Sequence, residues 1–358
     1  MKKVLLGFAS SALLAIGCGG GGGGGGNCTV AGASSGSLKL VANSIVLPSS
    51  SDASKAEGFG KDLNGDKTAD NKLGGLLSIL NGVSSTGSGP QSSVDAAIYD
   101  AGTFILLMNA EQATASDCSK ISVGFGATAP GNFDVVKNTS GKVTSATPKA
   151  AFALSGSTSD LAGPIAASIL ATNDPVTAEA PFTVNVKLPL ITGAPAIELT
   201  LTAAHITLNE TKIGASLYDS ANVPMRQYTG QINGAIKNSD LRSTVLPGVA
   251  AALTAILNDA SAEATTKTAI KSLLDKGCTG STTAMANDNK IDTCEVSDGA
   301  LKSALTPDLD LYSDTSKDAA GNVVGSYGVY DPKPSAATAM ENDALSFGVG
   351  FNAVGATY

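Results

Sequence analysis

Between Asp62 and Asn71 the chain reads Asp-Leu-Asn-Gly-Asp-Lys-Thr-Ala-Asp-Asn. Oxygen-bearing side chains stand at relative positions 1, 3, 5 and 9 of this run, at Asp62, Asn64, Asp66 and Asp70. A tight loop turns alternate residues inward, so the spacing can bring four hard oxygen ligands to one point. Calcium requires that chemistry, with six to eight oxygens at about 2.3–2.6 Å and tolerant geometry. The same run also suits a plainer task. Asn, Gly and Asp form turns, and Asp70 lies just ahead of a helical pattern that it can cap.

A second acidic run, Asp288-Asn289-Lys290-Ile291-Asp292-Thr293-Cys294-Glu295, falls between two helical patterns. The first run resembles the D-x-D/N-x-D-x-x-x-D calcium loops of thrombospondin type 3 repeats and dockerins over its ten residues. It departs from both in having Lys67 where Gly is usual and Leu73 where a closing acidic ligand often falls. The second resembles the latter half of an EF-hand loop. Asp288, Lys290 through its carbonyl, Asp292 and Glu295 match positions 5, 7, 9 and 12, and Ile291 the hydrophobic position 8. Ala284 and Ala286 stand at positions 1 and 3, and Asn289 replaces the turn glycine. These resemblances imply calcium as a structural cofactor, with Asp62, Asn64, Asp66, Asp70, Asp288, Asp292 and Glu295 as ligands. For the second loop a metal-free scaffold, held by a Cys278–Cys294 disulfide, stands beside the calcium reading. A third carboxylate group, Asp308, Asp310, Asp314 and Asp318, follows Pro307 and suits a solvated turn better than a cation site.

Catalytic constellations are sparse. The chain has one histidine, His205, which excludes multi-histidine zinc and di-iron sites. His205 ends an alternating stretch, where a packed or hydrogen-bonded imidazole is the default. No G-x-S-x-G elbow is present. Gly124-Phe125-Gly126 and Gly348-Val349-Gly350 lie inside alternating stretches without a following helix, so close approach of a strand or ligand explains them better than phosphate binding. The chain has no Trp to build a sugar platform. Lys and Arg number 23 against 31 Asp and Glu, a net charge of -8, which argues against nucleic acid as a partner.

The first residues carry an address. Met1-Lys2-Lys3 is a positive start, and Val4 to Ile16 is uncharged but too short to span a bilayer, which takes about 20 residues. Ala15-Ile16-Gly17-Cys18 resembles a bacterial lipobox, implying cleavage before Cys18 and acylation of that residue. Several acyl chains anchor stably, at about 0.8 kcal/mol per buried methylene. Gly19 to Gly26 is an unbroken glycine run, a tether. The combination resembles the glycine-tethered outer-membrane lipoproteins of myxobacteria and their relatives. Four cysteines then remain in an oxidising compartment, where three connectivities, or reduced thiols, are open; Cys278–Cys294 is preferred because it closes a short loop, with Cys28–Cys118 by elimination.

These groups need elements to hold them. Leu38 to Leu47 reads as a strand, and Leu73, Leu76, Leu77 and Leu80 recur at helical spacing. Val94, Ala97, Ile98 and Ala101 mark a second helix, with Gly102 suited to its end. A strand at 103–108 follows. Phe182, Val184, Val186, Leu188 and Leu190 alternate with polar residues, then a turn at 192–195 leads to Ile197, Leu199 and Leu201. Further strands are expected at 205–209, 212–218 and 228–236. Pro247 suits the first turn of a helix carrying Val249, Leu253, Ile256 and Leu257; another is expected at 263–276, ending at Gly277, and a third from near Ser297. Leu345, Phe347, Val349, Phe351 and Ala353 alternate in a closing strand.

The expected fold is α+β, mainly β: an antiparallel β-sandwich or curved sheet with packed helices. Its parts are a signal peptide (1–17), a lipidated Cys and tether (18–37), a β-rich domain (38–236), and a helical segment (237–358) whose last strand returns to the sheet. Helices, the anchor and the lack of aromatic girdles argue against an outer-membrane pore. The expected function is that of a lipid-anchored outer-membrane protein, a non-enzymatic, calcium-stabilised structural or binding module. Binding of an apolar ligand such as a lipid is the alternative, and a calcium-dependent hydrolase a further one. The membrane is the implied partner through Cys18; protein or lipid partners beyond it are left open.

Overall fold

Alternation and helical spacing both find their partners in a computed structural model. It describes residues 34–63, 67–83, 89–113, 118–126, 131, 133–139, 143–148, 162–168, 176–178, 182–190, 196–212, 227–260, 262–278, 286–309 and 344–355. The strands are β1 (Ser34–Val46), β2 (Ile105–Ala113), β3 (Cys118–Gly126), β4 (Phe133–Lys137), β5 (Val143–Pro148), β6 (Ala162–Ser168), β7 (Val176–Ala178), β8 (Phe182–Leu188), β9 (Ile197–Lys212), β10 (Gln227–Lys237) and β11 (Ala344–Gly355). The helices are α1 (Lys72–Val83), α2 (Pro90–Tyr99), α3 (Asn238–Asp240), α4 (Leu246–Asn258), α5 (Ala264–Leu273), α6 (Thr293–Asp298) and α7 (Lys302–Leu305).

Nine strands form one sheet in the order β10-β11-β1-β2-β3-β6-β7-β9-β8, and β10 also pairs with β9. That extra pairing curls the sheet nearly into a barrel; β8 pairs with the first half of β9, β7 with its second half, and β4–β5 is a separate hairpin. The fold is thus mainly β with packed helices, in the curved-sheet form. Closure is thinnest at β7, which makes two register pairs with β6 and two with β9.

The last strand is the keystone, lying between β10 and β1. Val349 and Phe351 stand opposite Ile232 and Gly230 of β10, and Phe351 and Ala353 opposite Ile45 and Ala42 of β1. Residues directly opposite share a face, and this one continues through Leu40 and Met108 and through Ile206. All of these except Gly230 belong to one buried apolar cluster. Phe347 and Phe351 are among its largest fully buried side chains, each contributing about 1.5–3 kcal/mol by burial. The ring of Phe351 lies over Gly230, where a Cβ would collide with it.

Several expected boundaries move for identifiable reasons. β1 begins at Ser34, inside the stretch assigned to the tether, because its first residues pair with the end of β2. The strands expected at 197–202 and 205–209 are one strand, β9, interrupted by a register shift near Ala203 (φ 51°). The 192–195 turn, and the 212–218 strand beyond Lys212, lie outside the described residues. Ala101 falls beyond α2, whose end is followed by Gly102 at φ 65°. Pro247 sits in the first turn of α4, as expected, but that helix is not free-standing. A π turn at Leu241–Val245 feeds α4, with the Leu246 N–H reaching the Leu241 carbonyl. Proline lacks an N–H and crowds the carbonyl four residues back; the wider turn accommodates both defects. Finally, α6 starts at Thr293 rather than near Ser297, because Asp292 and Glu295 form a capping box at its N-terminus.

Candidate functional site

Of the four oxygen ligands proposed for the first loop, Asn64 and Asp66 lie outside the described residues. The other two sit at opposite ends of a closed loop. The Asp70 N–H donates to the Lys61 carbonyl at 2.8 Å, while one Asp70 carboxylate oxygen accepts the Leu63 N–H at 2.9 Å. Asp62 is exposed and its Oδ2 accepts the Lys67 N–H at 2.9 Å. Lys67 adopts φ 71°, the left-handed conformation that a glycine supplies at the sixth position of a calcium loop. The loop therefore keeps the sharp turn although the glycine is gone.

Asp70 does not cap the helix that follows, because its carboxylate turns back into the loop. Asn71 takes that place, accepting the Gly74 N–H through Oδ1 at 3.0 Å. The same amide serves a second element. Oδ1 also accepts the Gly348 N–H at 2.8 Å, and Nδ2 donates to the Gly348 carbonyl at 3.0 Å and to the Gly58 carbonyl. β1 pairs with β11 only as far as Val46 opposite Gly350, so β11 has an open edge beyond that point. Asn71 supplies the two hydrogen bonds a strand residue would have made there, and thus protects an unpaired edge.

Two further contacts close this edge. Asp308 accepts from the Ser346 N–H at 2.8 Å and from its hydroxyl at 2.6 Å, and the Lys72 N–H donates to Ser346 Oγ. Leu309 pairs with Ala344 through the backbone. Burial pushes the Asp308 carboxyl above its ordinary value, against the lowering effect of the Ser346 hydrogen bonds. Over the same face, Asn233 Nδ2 donates to the Phe59 carbonyl at 2.6 Å. A Cβ on Gly348 would strike Asn233 and the Phe59 carbonyl, and one on Gly350 would strike the Phe59 ring. The Gly348-Val349-Gly350 pattern thus answers to close approach by Phe59, Asn71 and Asn233. Asp310, Asp314 and Asp318 lie outside the described residues.

In the second loop the carboxylates are already engaged. Glu295 is buried, its Oε1 accepting the Lys276 and Gly277 N–H groups at 2.8 and 2.6 Å and its Oε2 the Asp292 N–H at 2.8 Å. Asp288 Oδ1 accepts the Lys290 N–H at 2.9 Å, and Lys290 Nζ lies 2.6 Å from Asp292 Oδ1. The hydrogen bond and charge of Asp292 hold the Lys290 ammonium above the ordinary lysine value. Asn289, at the turn-glycine position, has φ 63°. Cys278 and Cys294 form a disulfide with Cα atoms 6.1 Å apart. The Cys28–Cys118 pair cannot be traced, since Cys28 lies outside the described residues.

One residue central to this loop was not singled out by the sequence. Asp275 is fully buried and accepts the Asp288 and Asn289 N–H groups at 3.2 Å each. It lies 13 residues before Asp288, outside any loop-length motif. No local spacing could have found it. His205 lies within β9 opposite Asn233, half-buried. Among the described residues, no group of three or more His, Cys, Asp or Glu is gathered as a metal cluster. Compared with known proteins, the chain matches no family model, no curated protein and no solved structure.

Proposed function

We propose that the chain is a lipid-anchored envelope protein, attached through Cys18. In this reading its nearly closed barrel is a non-enzymatic structural or binding module, steadied by calcium in the 62–71 loop. The observation that carries the calcium reading is the left-handed Lys67 whose N–H is held by the Asp62 carboxylate at 2.9 Å. That turn matches the sixth position of a calcium loop, and Asp70 closes the loop from its other end through the Leu63 N–H. The loop runs directly into Asn71, so an ion there would steady the residue that guards the β11 edge. The module would be an ion-braced scaffold rather than a catalyst.

Thermal unfolding of the oxidised mature chain in millimolar calcium and in EDTA tests the reading. A site at a thousand-fold excess of ion over its Kd adds about 4 kcal/mol, and Asp62→Ala/Asp66→Ala should lose most of that gain. Coincident curves for the unsubstituted chain in calcium and EDTA would remove the calcium reading. Incorporation of labelled palmitate, abolished by Cys18→Ala, tests the anchor separately. A second reading, an apolar ligand within the barrel, draws on the size of the ring: eight strands enclose either packed side chains or one small ligand. Lipid co-extracted with the natively purified protein at constant stoichiometry would favour it.

A further inference from the structure

The strand registers give the barrel two unlike ends. Ser34 of β1 stands opposite Ala113, Cys118 opposite Ser168, Thr177 beside it, Lys212 opposite Gln227, and Gly355 opposite Leu40. These positions share one end with the incoming chain at Ser34 and the outgoing chain at Gly355. At the opposite end, the connections from β1 to β2 and from β10 to β11 hold every described helix. Both acidic loops and the Cys278–Cys294 disulfide lie in those two connections. Contacts agree with the topology: Gln91 of α2 bonds the Ile45 carbonyl, Lys72 of α1 bonds Ser346, and Gly248 of α4 meets Ile197.

We propose that the barrel is displayed with a fixed polarity on the membrane. The end at Ser34, Gln227 and Gly355 faces the bilayer, and the end that holds the described helices and the acidic loops faces away, where cations and partners meet it. The inference rests on the proposed anchor at Cys18. From there to Ser34 lie the fifteen residues 19–33, nine of them Gly, and a Gly-rich coil of that length averages about 20 Å root-mean-square. β10 has 11 residues, about 36 Å of strand at roughly 3.3 Å per residue. Even tilted by about 40° in a barrel, that strand sets the two ends apart by more than the tether's mean span. The end from which the tether leaves is therefore held nearest the lipid.

The chain contains no Trp, so single introduced tryptophans report their own positions. The full lipidated chain, as Gln227→Trp or Ser239→Trp, is reconstituted in phosphatidylcholine vesicles carrying a dansyl headgroup acceptor. Gln227 opens β10 and Ser239 lies in α3, two residues past its far end, and both are exposed. A second pair, Thr229→Trp and Arg242→Trp, repeats the comparison in case either substitution disturbs folding. Energy transfer is expected to be several-fold greater from positions 227 and 229 than from 239 and 242. Equal or reversed transfer from chains that float with the vesicles would overturn the polarity and leave the anchor intact. Failure of the lipidated, unsubstituted chain to float would overturn the anchor and the polarity together.

Discussion

Replacing Asn71 with Ala should unfasten the β11 edge at one residue. The side chain is 6% exposed and joins three elements: the N-terminus of α1, the Gly58 turn and β11. Removing it leaves the buried Gly348 N–H and C=O and the buried Gly58 C=O without that partner. Each such group costs about 1–3 kcal/mol when left unsatisfied, and loss of an N-cap costs about 1 kcal/mol. Water reaching part of the gap would recover some of this, so a net loss of about 3–5 kcal/mol is expected for Asn71→Ala. That is a large share of a typical stability of about 5–15 kcal/mol. Urea unfolding of the mature chain measures it as a lower midpoint at unchanged slope. Amide exchange at Gly348 should accelerate in parallel, since the open edge is local. Asn71→Asp keeps both acceptor contacts but sets a carboxylate against two carbonyls, and should fall between. A loss below about 1 kcal/mol for Asn71→Ala, the range of an ordinary surface change, would refute the edge-cap account.

Asp308 gives a pH dependence with a definite sign. Burial raises its folded value above the ordinary 3.8, so its contribution to stability is full below that value and is lost as pH rises through the higher folded one. Asp308→Asn should therefore gain on the parent chain as pH climbs from 4 toward neutrality, read from paired unfolding curves; a constant difference across that range would contradict it. Cys278→Ser/Cys294→Ser opens a loop of sequence separation 16 and should cost about 3 kcal/mol in reversible unfolding; an unchanged midpoint would show that the Glu295 amide bonds suffice. Gly350→Ala drives a methyl into the Phe59 ring and should cost about 1–3 kcal/mol. Adding Phe59→Leu should recover part of that loss, and strictly additive costs would separate the two positions.

The elements were largely legible because their signals are local. Leu73, Leu76, Leu77 and Leu80 lie on one helical face and all four are buried in α1. The apolar residues of β11 alternate within one strand, and Val184, Val186 and Leu188 are buried while Thr183, Asn185 and Lys187 are exposed. Periodicity records burial on the scale of one element, which is why curved sheet, helices and the Cys278–Cys294 pair could be anticipated. Boundaries were less legible where a side chain had competing partners. Asp70 and Asn71 both suit an N-cap, and the Leu63 amide draws Asp70 back into its loop.

Tertiary structure alone decided what those elements enclose. The contact between Asn71 and Gly348 spans 277 residues of sequence, and nothing in either neighbourhood announces it. The same holds for Asp308 on Ser346 and for Asp275 beneath the second loop. Sequence by itself determined which segments must bury one face and which residue types could bind a cation. Which strand fills the gap between β10 and β1, and which polar groups seal its edge, depended on chain ends meeting across the barrel. Such long-range pairings leave no periodic trace, because a buried backbone group accepts any well-placed partner wherever it lies in the chain.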